Sequence, residues 1–341
     1  MRSKNFIILL LWGEQMDIIN LKQIISDQKQ FSFPQKNIVY RDSFAIDKTL
    51  LSNSLINIVT GVRRSGKSVF LQYLRQQLPQ NDNFLNFEDD RLAVFTVEDF
   101  QTLFLAFLEL YGEQPYFFFD EIQNIPSWES FIRRLHDYRK KIFITGSNAN
   151  MLSRELGAKL TGRYLAYEIY PCSFYEFLQF KNVAVDLKDF GTKNIASMRQ
   201  LFQEYCHFGG LPEYYSIQTQ DYLHTLYENI IYRDIISRYN ITNESIIKKL
   251  VYYLASNIAK DTNFSALAKL LSVGSSSTIA EYCHYLENSY LCFFLSIDLI
   301  ILSKNNMVII KKFISLILPW HGRLVLGLQK IMEECWKILY F

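Results

Sequence analysis

The chain has 341 residues, enough for two domains of ordinary size or three. Hydrophobic residues make up 49% and charged residues 21%, which excludes a disordered chain, while a net charge of +2 argues neither for nor against a polyanionic partner. The five cysteines (Cys172, Cys206, Cys283, Cys292 and Cys335) form no C-x-x-C pair, so free thiols in a reducing compartment fit better than a disulfide frame or a zinc site.

Arg2 and Lys4 precede a short apolar run over residues 6–12. It is too short to span a bilayer, and no small-residue cleavage site follows, which disfavours a signal peptide. The preferred reading makes Met16 the natural start, residues 1–29 an extension, and the cytoplasm the location. From Leu21 to Leu50 the pattern is helical with interruptions. Leu55–Thr60 is short, β-branched and followed by glycine, as a buried strand should be. A helix is expected over residues 68–77, stopped by Pro79, then a strand at 84–87 and a helix over 97–111. Tyr116–Phe119 and Lys141–Thr145 read as further buried strands, with a helix over 128–138 between them. Strands alternating with helices imply an α/β domain, a parallel sheet with helices on both faces. Beyond Pro171 the strand signals fade and helices follow at 173–179, 196–208 and 221–239.

Residues 61–68 read G-V-R-R-S-G-K-S and match the P-loop pattern G-x-x-x-x-G-K-S/T between a strand and a helix. Gly61 and Gly66 let the backbone N–H groups of Val62, Arg63, Arg64 and Ser65 turn inward around phosphate oxygens at the positive end of the next helix. Lys67 would charge-stabilise the β- and γ-phosphates, and Ser68 would coordinate magnesium. Y-F-F-F-D-E at 116–121 then supplies the carboxylates of a Walker B strand: Asp120 to hold Mg2+, directly or through water, and Glu121 to polarise the attacking water. Alone, an apolar run ending in two acids is common; paired with the P-loop it predicts a site for ATP with Mg2+. The strand at 141–145 leads into G-S-N, where Ser147, or Asn148 just behind it, would sense the γ-phosphate; the competing reading is a turn residue bonded to its own backbone.

Several further stretches carry a family likeness. They are N-F-E-D-D-R at 86–91, F-F-D-E-I-Q at 118–123, I-T-G-S-N-A at 144–149, L-T-G-R-Y at 160–164, P-C-S-F-Y-E-F at 171–177 and G-G-L-P-E-Y at 209–214. With them the chain resembles, from about residue 50 to 294, prokaryotic AAA+-type P-loop ATPases that carry a winged helix and a C-terminal nuclease-like domain of unknown function. The resemblance implies ATP hydrolysis. It also suggests that Arg163 stabilises charge on the γ-phosphate, often from a neighbouring subunit, which would require a homo-oligomer. A salt-bridged surface arginine is the competing reading.

Residues 246–258, 264–271 and 275–290 form three helices with tight turns, similar to the helix-turn-helix of winged-helix domains, with 275–278 opening the recognition helix. That helix has no Lys or Arg and carries Glu281 and Glu287, so a structural or protein-contact role is favoured over a DNA partner.

From about Asp298 the likeness stops. Lys311 and Lys312 interrupt the apolar residues there, and no stretch reaches a membrane span. Read one base out of phase, with third bases partly chosen, the codons give peptides resembling the family's continuation, including a G-R-x-L-E-N-x-V segment. A frameshift near residues 295–298 is the expectation, with 298–341 non-native and poorly packed; an intact genomic frame contradicts it. The expected plan is a P-loop ATPase domain at 30–180, a helical linker or lid at 181–240, a winged-helix-like module at 241–297 and the tail. The expected activity is ATP to ADP and phosphate. The rivals are a nucleotide-dependent binding switch, a DNA-associated regulator, and a decayed gene product.

Overall fold

The computed structural model describes residues 16–30, 41, 50, 53–78, 82–147, 160, 162–183, 191–217, 219–257, 261–297 and 310–314. The chain divides into two compact units: Met1–Gly61 with Gly66–Ile169, and Val62–Ser65 with Tyr170–Phe341. The expectations for residues 1–15, Asn148 and most of 298–341 lie outside the described residues.

The first unit holds helix α1 (Ile18–Gln30), strand β1 (Ile56–Gly61), α2 (Lys67–Gln76), β2 (Asn83–Asn86), α3 (Phe100–Tyr111), β3 (Tyr116–Asp120), α4 (Glu129–Asp137), β4 (Lys141–Gly146) and β5 (Tyr164–Ile169). The five strands form one parallel sheet in the order β2-β3-β4-β1-β5. The three central strands have the sequences INIVTG, YFFFD and KIFITG. Their side chains point alternately to opposite faces, and both faces are covered, so nearly every position must be apolar. Phe117 and Phe119 join the core under α1, α3 and α4. Phe118 turns to the other face, where it stacks on Phe143 with centroids 4.8 Å apart, in the core that Phe70, Leu71 and Leu74 of α2 also fill. Full burial of each of these rings contributes roughly 1.5–3 kcal/mol.

Helix α1 buries Leu21, Ile24 and Ile25 in that same first core, so the stretch expected to be an extension packs as part of the sheet domain. Its Gln28 accepts from the Asn86 N–H at 2.7 Å and donates to Asp89 at 2.9 Å, fixing the helix to the end of β2. The sequence predicts no strand at 164–169, yet β5 pairs with β1 from Ile56↔Tyr164 to Gly61↔Ile169. As an edge strand with its side chains largely half-buried or exposed, it lacks the apolar run that marks its neighbours.

The second unit, with Val62–Ser65, begins with α5 (Phe174–Phe180), whose capping box pairs Ser173 with Glu176. Then follow α6 (Thr192–Phe208), α7 (Tyr214–Ile217), α8 (Gln220–Asn229), a π-helical stretch at Ile230–Ser237, and α9 (Glu244–Ser256). Aromatic rings tie α5 to α6 and α7: Phe174 lies 5.1 Å from Phe202 and Phe177 lies 5.2 Å from Tyr215, centroid to centroid. Last come β6 (Asp261–Thr262), α10 (Phe264–Leu270), α11 (Ser276–Asn288), β7 (Phe293–Ile297) and β8 (Ile310–Ile314). These strands make an antiparallel sheet in the order β6-β8-β7, which the sequence pattern does not reveal. Among the described residues, no helix is long and apolar enough to cross a membrane. Cys172, Cys283 and Cys292 are buried and Cys206 is half-buried.

Candidate functional site

A glycine is required where β1 ends. Gly61 has φ +141°, and a Cβ there would stand 2.0 Å from the Ile169 carbonyl oxygen of β5. Gly66, with φ 102°, caps α2, and its carbonyl accepts from the Phe70 N–H at 2.9 Å. Between the two glycines, the Ser65 N–H turns back onto the Val62 carbonyl at 3.1 Å, and Arg64 takes a left-handed φ of 68°. Positive-φ residues just ahead of a helix N-terminus are a setting in which main-chain N–H groups can face an anion.

In the first unit, Lys67 opens α2 with its side chain 4% exposed, and Nζ stands 3.7 Å from Glu121 Oε1. Asp120 ends β3, buried, and receives hydrogen bonds from the hydroxyls of Ser68 and Thr145. Burial and the neighbouring Glu121 charge hold its carboxyl above the usual carboxylate range, against the pull of those two hydroxyls and of Lys67. Strand β4 lies between β3 and β1, so the two motifs are not on adjacent strands; the strand between them contributes chemistry of its own. Thr145 donates to Asp120 Oδ1 at 2.5 Å and accepts from the Glu121 N–H at 2.8 Å, bridging the two acids. Glu121 itself sits at φ 52°, a left-handed conformation held in place by that bond. Its Oε2 accepts a hydrogen bond from Gln123 Nε2. Motif reading passed over Thr145 and Gln123. The available signal was a hydroxyl inside an otherwise apolar buried strand, which must find a partner.

Ser147 is buried directly after β4, at the strand end between the P-loop strand and the acidic strand. Arg163 is elsewhere. It precedes β5, at the start of the sheet's parallel strands, roughly 20 Å of strand from the loop end. Its guanidinium forms a half-exposed ion pair with Asp137 at 3.0 Å, so it is not brought to this chain's own Lys67.

In the second unit, the side chains of the loop's arginines are committed to carboxylates. Arg63 Nε lies 3.2 Å from Asp234, a buried residue of the π-helical stretch, and Arg64 lies 3.3 Å from Glu213 of G-G-L-P-E-Y. Glu213 also accepts from the Tyr222 hydroxyl at 2.8 Å; burial first, and then this bond, raise that phenol's pKa. What residue 63 can offer a phosphate is therefore mainly backbone N–H, whereas the Arg64 pair is exposed and weak.

Ser68 and Asp120 are hard oxygen donors that fit Mg2+, and the buried Glu121 beside them adds negative charge. Among the described residues, no group of three or more His, Cys, Asp or Glu converges into a protein cage. The set suits an ion that keeps waters and takes phosphate oxygens as its other ligands.

Residues 53–178 match the family model described as AAA domain, and residues 199–297 match one described as a domain of unknown function (DUF8612). An uncharacterised protein of Methanocaldococcus jannaschii is 34% identical over 287 residues, covering 82% of this chain and 64% of its own length. One of Haemophilus influenzae is 35% identical over 251 residues, covering 69% of this chain and 61% of its own. The chain thus spans less than two thirds of these curated relatives. Among solved structures, the Walker-type ATPase of Pyrococcus abyssi aligns over 77% of this chain and 93% of its own, with TM-score 0.43 and 15% identity. PCH-2 of C. elegans aligns over 57% of each chain with TM-score 0.34 and 13% identity. These structural likenesses are too distant to bear on the site.

Proposed function

We propose that the chain, whose residues 53–178 match the AAA domain family model, binds ATP with Mg2+ and hydrolyses it. The observation that carries this reading is the meeting of Lys67, Asp120 and Glu121 at one end of the parallel sheet, with Ser68 bonded to Asp120. Main-chain N–H groups of the loop, other than that of Ser65, bind the phosphates, and Lys67 exchanges Glu121 for the β- and γ-phosphate oxygens. That exchange releases Glu121 Oε1 to accept a proton from the attacking water during in-line displacement at the γ-phosphorus. Ser68 and Asp120 hold the metal, and Mg2+ when bound neutralises charge on the phosphate oxygens. Ser147, at the end of the intervening strand, senses the γ-phosphate. Arg163 acts on the site of a neighbouring copy, since it stands at the far end of its own sheet.

Turnover of wild type beside Glu121→Gln separates hydrolysis from a nucleotide-dependent switch. An ATPase loses phosphate release in the variant and keeps its nucleotide, whereas equal release from both removes Glu121 from the chemistry. The order of α9, β6, α10, α11 and β7 supports reading residues 241–297 as a winged-helix-like module. Without Lys or Arg in α11, protein contact is favoured over DNA; salt-dependent binding to duplex DNA would reverse that preference.

A further inference from the structure

Glu121 has two oxygens and, in this structure, two partners. Lys67 faces Oε1 at 3.7 Å, and the Gln123 carboxamide donates to Oε2. Only Lys67 has a second task. Once its ammonium turns to a phosphate, the orientation of the carboxylate depends on Gln123 and on the Thr145 bond to the Glu121 N–H. We propose that Gln123 is a positioning residue for Glu121, holding Oε2 so that Oε1 is presented to the attacking water; this rests on reading Glu121 as the base.

Two further observations bear on the assignment. The Gln123 Oε1 atom is buried with no hydrogen-bond partner among the described residues. An unmet buried carbonyl costs roughly 1–3 kcal/mol, so the amide is a poor choice if its purpose is stability. Second, the carboxamide lies over the bare Cα of Gly146: a Cβ there would come within 3.0 Å of Gln123 Oε1. Gly146 ends β4, the strand that also carries Thr145. The end of this one strand therefore sets both the backbone and the side chain of Glu121, from Thr145 and from the space above Gly146. Without the amide, Oε2 has no fixed donor and the carboxylate can rotate about its terminal bond, which is broad and two-fold.

The test compares Gln123→Met, an unbranched replacement of similar length, with wild type under Mg·ATP turnover. The expected result is a kcat lower by about tenfold, a part of the 10²- to 10⁴-fold that a positioned base supplies. KM and the equilibrium affinity for ATP should stay within about twofold. In a Glu121→Gln background, Gln123→Met should cause no further loss, because its effect passes through the carboxylate. Gly146→Ala, which leaves residue 123 intact and displaces its carboxamide, should lower kcat in the same direction and by less. It also reads the assignment if Gln123→Met folds poorly. Wild-type kcat in both variants overturns the proposal, as does a tenfold loss that persists with Glu121 already replaced. A wild-type chain with no turnover at all overturns the hydrolysis reading and this assignment with it. Turnover that is indifferent to Gln123 overturns the assignment alone.

Discussion

Replacing Thr145 by valine removes one hydroxyl and nothing else of consequence in volume. The side chain is 1% exposed, on the strand between the two motif strands. Its hydroxyl donates to the Asp120 carboxylate at 2.5 Å and accepts from the Glu121 N–H at 2.8 Å. A hydrogen bond to a charged group contributes about 1.5–3 kcal/mol, and a buried N–H left without an acceptor costs about 1–3 kcal/mol. The extra buried methyl returns about 1 kcal/mol. The net loss is therefore about 1.5–5 kcal/mol. For a unit of this size that lowers the melting temperature by roughly 3–20 °C. Thr145→Ser, which keeps the hydroxyl, should lie within about 1.5 kcal/mol of wild type, the usual cost of one lost methyl group. The assay is thermal and urea unfolding of the three proteins, followed by Mg·ATP titration of those that fold. Because Asp120 loses a donor to its ionised form, metal-dependent nucleotide affinity should fall as well. Should Thr145→Val melt within a degree or two of wild type and bind Mg·ATP unchanged, the bridge between the two acids is not what holds this end of the sheet together.

Gly61→Ala places a Cβ 2.0 Å from a main-chain oxygen at a φ that L-residues avoid, so the variant should lose its cooperative unfolding transition or melt far below wild type; a normal melt refutes the close approach of β5. Asp89, paired with Arg91 and bonded by Gln28, has a pKa lowered to about 2. A depressed folded-state pKa contributes stability above the unfolded value near 3.8 that is lost as pH falls through about 2. Asp89→Asn should therefore narrow its deficit to wild type between pH 4 and pH 2, measured by urea unfolding at each pH. Arg163→Ala should leave stability within about 1 kcal/mol, since it breaks an exposed pair, yet lower turnover if the arginine serves a neighbouring copy. Unchanged turnover at high protein concentration assigns Arg163 to the surface pair alone.

Much of the first unit can be read in the sequence, for a specific reason. Phe117, Phe118 and Phe119 are apolar on both faces because the sheet is covered on both, and that continuous run is visible without a structure. The edge strand β5 is not legible in the same way. Tyr164–Ile169 is half-exposed and mixed in character, so neither a continuous run nor a clean alternation marks it. Gly61 illustrates the limit of motif reading. The P-loop pattern requires glycine there for the phosphate turn, whereas the approach of Ile169 requires it for packing, and only the fold shows the second demand. Thr145 and Gln123 were overlooked because their partners, Asp120 and Glu121, come from a different strand or from across a turn. The antiparallel strands β6, β7 and β8 are short, and β6 finds its partner in β8 about fifty residues on, which leaves little local trace. The π-helical stretch at 230–237 has an ordinary helical sequence, so nothing in the pattern marks that Asp234 meets Arg63 there.

Equilibrium binding of ATP to wild type and to Lys67→Ala, each with and without Mg2+, bears most directly on the grip of this loop and ammonium on a triphosphate. The predicted result is Mg2+-enhanced binding by wild type, and an affinity at least about tenfold weaker once the ammonium is gone, corresponding to about 1.4 kcal/mol. Equal affinity in the two proteins, or no binding by wild type at millimolar ATP, would contradict the account.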